Sequence, residues 1–583
     1  MRPSTTAHGA SAPFTGSKPF AGHRRALALV AASMLALSAC ADSEREEPAA
    51  SASGEGEEAG GGTFVFGASS DPVVLDPAFA SDGETFRVAR QMFEGLVGTE
   101  PGTADPAPLL AESWTTSEDG LSYTFTLKEG VTFHDDTPFD AEAVCANFDR
   151  WYNWTGLQQS ENISYYYGAL FKGFATSDDP ELTDGVYESC AADSPTAATV
   201  TLSRPFAAFV QALSLPAFSM QSPSAMEEFD ADNLSGTEED VRFSAYGTEH
   251  PTGTGPFVFE SWDRGEQVTL ARNEGYWGEK AKLDTVIIQT IADPNARLQA
   301  LRNGDIDGYD LVAPGDVDGL ESDGFQIEER SAFNVLYMGM NQAYTAPDGT
   351  KPLADVRVRQ AIAHAIDREA VISQSLPEGT TPATQFMPDL VEGYAEDVPT
   401  YDYDPDAAKA LLAEAGVPNL TLQFNYPTGV SRPYMPSPED TFVALSAQLE
   451  AVGITVEPVA DQWSPDYLDK IQGTPEHGVH LLGWTGDYND ADNFVGVFFG
   501  AAGNEWGFDN PELFAALDAA RQLPTRDEQT PVYQDINRQI AEYVPGIPLA
   551  HPVPSLAFAP GVEGYQASPV QDEVWNQVTV SES

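Results

Sequence analysis

The chain has 583 residues, 42% of them apolar, which is more than one ordinary core holds, so two or more globular lobes are expected. Ninety acidic side chains against 29 basic ones give a net charge of −61 at pH 7, which argues against nucleic acid and against a polybasic membrane patch. The chain has three cysteines, eight unclustered histidines and no CxxC or HExxH spacing, so neither a structural metal nor a cofactor is expected.

Near the N-terminus, Lys18, Arg24 and Arg25 precede an apolar run from Ala26 to Ala36, followed by LSAC, Leu37 to Cys40. A basic flank, a short apolar stretch and small residues before a cut describe an export signal over 1–39. The run falls short of the ~20 apolar residues that a membrane span needs. LSAC resembles a bacterial lipobox, which implies cleavage before Cys40 and a lipid on its sulfur. The protein is then expected on the outer (extracellular or periplasmic) face of the cell membrane. Residues 40–62 are Ser, Gly, Ala and Glu with almost no apolar bulk, and read as a flexible acidic tether. With Cys40 assigned to lipid, Cys145 and Cys190 remain in an exported chain, and one disulfide between them is expected.

A short strand from Thr63 to Phe66 opens the folded part. "YTFTLKEGVTFHDDTPFDAEAVCANF" reads as two strands around a Glu129-Gly130 turn, then a helix opening near Thr137-Pro138. His134, at a strand end beside two aspartates, reads as structural. Strands Phe257–Trp262 and Gln267–Arg272 follow "HPTGTGPF". That Gly-Thr-Gly-Pro lacks the GK[ST] ending, and a strand rather than a helix comes after it, so it is a bend and not a phosphate cradle.

Further on, "KPLADVRVRQAIAHAIDREAVI" puts Ala354, Val358, Ala361, Ile362 and Ala365 on one helical face. Asp404, Pro405 and Gly416 cap, open and end a second helix, and strand Leu420 to Tyr426 follows. Ser437 and Asp440 read as a capping box for a third helix, with Phe442, Leu445, Leu449 and Val452 spaced by three and four. Strand ITVEPV, a short helix near Pro465 to Ile471 and strand GVHLLGW complete the series. Helices and strands alternating at this spacing predict an α/β lobe with a mainly parallel sheet. Ligands in such lobes sit beyond the carboxyl ends of the strands. Two loops there carry opposite charge: "PTGVSRPYMPSP" presents Arg432 and Tyr434, and "TGDYNDADNF" presents Asp487. On residue types alone, a bipolar binding site, a salt bridge between loops and plain surface charge all remain open. Asp490 and Asp492 read as solvated turn residues.

Taken together and in order, the lipobox, "YTFTLKEGVTFHDDTPFDAEAV", "GTGPFVFESW", "ARNEGYW", "ADVRVRQAIAHAIDREAVI", "YDPDAAKALLAEAG" and "LLGWTGD" resemble the family 5 extracellular solute-binding proteins of ABC importers. The similarity runs from about Thr63 to the C-terminus. "LLGWTGDYNDADNF" and "SRPYMPSP" look most like the dipeptide-binding branch. The resemblance implies that Asp487 receives a ligand α-ammonium and Arg432 clamps its α-carboxylate, with Gly486, Trp484 and Tyr434 lining the pocket. Each ligand charge would lose its water in a closed cleft and so needs a fixed counter-charge. Two departures stand out: Ala491 occupies a position where the family often has Pro, and residues 153–195 match poorly, with no ligand role read in them.

The resemblance also implies an α/β, two-lobed periplasmic-binding-protein fold (type II, Venus-flytrap) with an extra subdomain. Lobe I is expected over 63–311 with an insert at about 94–195, lobe II over 312–544, and a return to lobe I over 545–583. A monomeric, non-enzymatic receptor for short peptides, passing its cargo to a membrane permease, is the function implied. The same fold could serve another solute: a metal chelate, haem, an opine or another small cation. A secreted peptide hydrolase would need a nucleophile and base pair that the sequence does not offer.

Overall fold

The computed structural model describes residues 61–581, except 180, 181, 183, 184 and 239. The expected export signal, Cys40 and the tether up to residue 60 lie outside the described residues. Among those described, no helix is long and apolar enough to cross a membrane.

One lobe is built on a seven-stranded sheet in the order Phe257–Asp263, Gln267–Arg272, Thr285–Thr290, Thr63–Ala68, Gly308–Asp310, Ser555–Phe558, Gln326–Glu329. Phe64 and Phe66 sit under the ring of Trp575, at 5.3 and 5.1 Å, so the C-terminal tail closes this core. A four-stranded antiparallel sheet, Ala111–Thr116, Ser122–Leu127, Ala197–Leu202 and Tyr187–Ser194, forms the subdomain. Its helix α1 (Ala141–Tyr152) is joined to the edge strand by the disulfide Cys145–Cys190. The helix starts at Ala141 and not near Thr137, because the Asp140 carboxylate caps it by accepting from the Glu142 and Ala143 amides. A second helix, α2 (Tyr165–Phe171), follows in the same subdomain.

The Gly-Thr-Gly bend is structural. His134 Nε2 lies 3.0 Å from the Gly255 carbonyl, and burial lowers the pKa of this imidazole to about 4. Buried Glu94 accepts from the Thr254 and Tyr276 hydroxyls and the Trp277 indole, tying the bend to the EGYW segment.

The other lobe holds β1 (Asn334–Met340), α3 (Val356–Ala365), α4 (Arg368–Ser375), α5 (Pro405–Glu414), β2 (Thr421–Thr428), α6 (Pro438–Ala451), β3 (Thr455–Gln462), α7 (Leu468–Gly473), β4 (Val479–Thr485) and β5 (Gly546–His551). The sheet order is Thr381–Pro382, β5, β1, β4, β2, β3. Only β4, β2 and β3 run parallel; β1 is antiparallel to β4 and to β5. The sheet is therefore mixed rather than mainly parallel. Both its faces are buried, with Leu336, Met338 and Leu481 in one core and Val335, Tyr337 and Leu482 in the other. A strand covered on both faces reads as a continuous apolar run, and such a run carries no sign of direction.

Local signals hold in part. Asp404 caps α5 as read, and Gly416 ends it at φ +80°. The "ADVRVRQ" helix breaks in two, because Asp367 caps a new start through the Ala370 amide; Ala354 lies in the preceding turn. The expected capping box of α6 is absent: Ser437 makes no side-chain cap bond.

The lobe boundaries also differ from expectation. Gln326–Glu329 belongs to the first sheet and β5 to the second, so the chain crosses near 330–333 and 552–554, later than 311 and 545. The subdomain sheet likewise runs to Leu202, past 195. Arg330 pins the crossing: its amide donates to Pro554 O at 3.0 Å, and its guanidinium pairs with Asp310 and Glu573. Sheet membership is a long-range pairing that a hydrophobic pattern does not encode.

Candidate functional site

Because β2 and β4 run parallel, their carboxyl ends open on the same side of the sheet. The chain leaving β4 passes Gly486, whose amide donates to Phe333 O at 2.8 Å. A Cβ at Gly486 would stand 2.4 Å from Phe333 Cε1 and 2.6 Å from Phe494 Cζ, so only glycine fits there. That close approach delivers Asp487. Its amide donates to Asn493 Oδ1 at 2.7 Å, and Asn493 Nδ2 donates back to Asp487 Oδ2 at 3.0 Å. The Tyr166 hydroxyl, from α2, donates to Asp487 Oδ1 at 2.8 Å. Burial pushes the Asp487 pKa up to about 6, against the opposing pull of Asn493, Tyr166 and the more distant Arg90 charge. Among the described residues no cation forms an ion pair with it: Arg90 is held by Asp572, at 2.9 Å.

Asp487 lines a cavity of about 830 Å³ between the subdomain and this lobe, together with Tyr165, Tyr166, Lys172, Asn493 and Phe498. Arg432, Tyr434, Trp484 and Gly486 are not on that wall. Arg432 and Met435 close a tight turn by two reciprocal backbone bonds, of 3.1 and 2.9 Å. The Arg432 guanidinium stacks over Trp463 at 4.4 Å, and among the described residues it forms no ion pair and its buried Nε has no partner. The Tyr434 ring packs on Gly483 of β4, where a Cβ would come within 2.2 Å of it. Ser431 Oγ, Trp484 Nε1 and Thr485 Oγ1 are likewise buried and unpartnered. Unpaired buried polar atoms are uncommon, and here four of them gather on two neighbouring strand ends.

Asp490 and Asp492 are not solvated turn residues. Asp490 is fully buried and paired with Arg526, and Asp492 accepts from Arg521 Nε at 2.7 Å. Ala491 is buried in the core under the loop. Sequence reasoning missed Tyr166, Asn493 and Trp463. Asn493 was within reach, six residues past Asp487 in the same loop, but Tyr166 comes from the stretch that matched poorly.

Two lobes joined by two crossings, with a wide cavity between them and a half-buried carboxylate without a counter-ion on its wall, define a ligand-binding protein of the periplasmic type. The family model for bacterial extracellular solute-binding proteins, family 5 Middle, matches residues 105–506, and the chain belongs to this family. It is 30% identical to heme-binding protein A of Haemophilus influenzae over 95% of this chain and 99% of that one. It is 29% identical to the dipeptide-binding protein of Escherichia coli, over 89% and 94%. Among solved structures, the periplasmic binding protein DppA from Helicobacter pylori in complex with the peptide STSA superposes with a TM-score of 0.72. That pair shares 26% identity over 90% of this chain and 99% of the other.

Proposed function

We propose that this protein is the extracellular receptor of an ABC importer for short peptides of the dipeptide type. Asp487 takes the ligand's α-ammonium and Arg432 its α-carboxylate, while Gly486, Trp484 and Tyr434 shape the walls around them. The observation that carries the reading is Asp487 itself, a half-buried carboxylate facing the cavity, braced by two neutral donors and, among the described residues, lacking a cation at ion-pair distance. A group in that state is relieved by a ligand cation. The unpaired guanidinium of Arg432 supplies the complementary charge, and its geometry suits a carboxylate. Relatives named for dipeptides and di/tripeptides support the same cargo.

The protein works by binding and release rather than by catalysis. A lipid on Cys40 holds it at the membrane surface, and the closed form docks on a permease as a monomer. Calorimetry with Ala-Ala tests the ligand assignment. Asp487→Asn and Arg432→Met are each expected to lose ten-fold or more in affinity, about 2–5 kcal/mol for a buried charge left unpaired. Unchanged affinity in both variants overturns it.

A second reading, another solute in the same cleft, is favoured by the 30% identity to heme-binding protein A. Native mass spectrometry of the freshly purified protein separates the two, since a co-purifying mass that is not a peptide supports the second.

A further inference from the structure

The wall of the cavity facing Asp487 is helix α2. Tyr165, Gly168, Ala169 and Lys172 all line the cavity, and their spacing of three, one and three places them on a single helical face. Gly168 and Ala169 add almost no bulk, which leaves a trough between Tyr165 and Tyr166 at one end and Lys172 at the other. Lys172 ends the helix in the left-handed conformation, φ 56°. Of the three cations on the cavity wall, Arg521 is held by Asp492 and Arg204 is already engaged. The Lys172 ammonium forms no hydrogen bond or ion pair among the described residues. Burial, with the nearby charges of Arg521 and Arg204, lowers its pKa and is only partly offset by Asp492 and Glu161, so the group gains from an added anion.

We infer that Lys172 receives a second charge of the ligand, a carboxylate held at the far end of the trough from the ammonium on Asp487. The inference rests on Asp487 as the ammonium receptor and deepens that reading by naming the substrate class. Tyr166, bonded to Asp487, and Lys172 are six residues apart, so they stand about 9 Å apart along the helix at ~1.5 Å per residue. An extended peptide covers that distance in two to three residues at ~3.3–3.6 Å each. The carboxylate is therefore either the acidic side chain of a second residue or the C-terminus of a tripeptide. Arg432 lies off this wall, so in a dipeptide it keeps the α-carboxylate while Lys172 takes the acidic side chain; in a tripeptide the C-terminus passes to Lys172 instead.

Calorimetry of the full chain with Ala-Ala, Ala-Glu and Ala-Ala-Ala tests this, with Ala-Gln as the uncharged match for Ala-Glu. The wild type is expected to prefer Ala-Glu over Ala-Gln, and Lys172→Met to shrink that ratio about ten-fold, while Lys172→Arg keeps most of it. A ten-fold loss for Ala-Ala-Ala relative to Ala-Ala in Lys172→Met, with the Ala-Glu to Ala-Gln ratio unmoved, assigns the carboxylate to the C-terminus instead. Thermal melts of each variant show that it is folded, and Lys172→Glu, expected to prefer Ala-Lys, gives a second check. If the wild type binds these peptides but neither ratio moves in Lys172→Met, the inference is overturned and the peptide reading stands. If the wild type binds none of them, both fall together.

Discussion

The Tyr166 hydroxyl donates to Asp487 Oδ1 at 2.8 Å, and this bond ties the subdomain helix α2 to the loop after β4 on the opposite side of the cavity. One carboxylate thus serves two purposes: it is the proposed ammonium receptor and a latch between the two bodies that form the cleft.

Removing that latch has a defined effect. Tyr166→Phe leaves the ring packed against Phe86, at 5.7 Å, but deletes a hydrogen bond to a charged group, ~1.5–3 kcal/mol. Peptide affinity is expected to fall about ten-fold through a faster off-rate, read by stopped-flow or surface plasmon resonance. An unchanged off-rate would show that the bond contributes nothing to closure.

The pKa of Asp487, raised from 3.8 to about 6, sets a pH dependence. A raised carboxyl binds its proton more readily in the folded chain than in the unfolded one. Its contribution to stability is therefore unfavourable above pH 6 and is relieved as pH falls from about 6 toward 3.8. Peptide affinity runs the other way, because an ammonium needs the ionised form. It is expected to drop below pH 6 by up to about ten-fold per unit, and Asp487→Asn is expected to bind weakly with a flat profile. If the Asn variant keeps the wild-type slope, another group is titrating.

Arg432 predicts a distinction between free and blocked C-termini. Wild type is expected to bind Ala-Ala at least ten-fold better than its C-terminal amide, and Arg432→Met is expected to bind both alike. Calorimetry on the two ligands reads this directly. A variant that still discriminates would assign the carboxylate to another cation.

Gly486→Ala places a methyl 2.4 Å from Phe333 Cε1 and 2.6 Å from Phe494 Cζ, in a packed core. Overpacking of this kind costs ~1–3 kcal/mol, and here it displaces the backbone that carries Asp487. Both a lower melting temperature and weaker peptide binding are expected from one substitution. A normal melt with normal affinity would mean that the loop yields freely.

The disulfide Cys145–Cys190 closes a 45-residue separation between α1 and a strand edge. Restricting the unfolded chain over such a loop is worth ~2–4 kcal/mol, so reductant or Cys145→Ser is expected to lower the melting temperature by several degrees. Calorimetric unfolding with and without dithiothreitol measures it.

Much of the second lobe was legible because its signals are local. Asp404, Pro405 and Gly416 mark α5 with side chains that act within one turn, and the two strand-end loops were found from the order of elements alone. What failed was long-range. The three strands read from the sequence, β2, β3 and β4, are parallel as expected. But β1 and β5, which it did not mark as strands and which make the sheet mixed, the break before Asp367 and the crossings near 330 and 552 were not legible. Asp490 and Asp492 failed for the same reason, since Arg526 and Arg521, which pair with them, come from distant helices.

The sequence by itself determined the family, the α/β character, the second lobe's main helices and strands, and the two charges worth watching, Asp487 and Arg432. These follow from residue types and short spacings, which fold back on themselves over a few residues. Only the tertiary structure decided what surrounds those charges. It brought Tyr166 to Asp487 across 321 residues, stacked Arg432 on Trp463 and set Lys172 on the cavity wall. Burial and counter-charge are properties of the assembled cleft, and they are what turn one acid among ninety into a binding group.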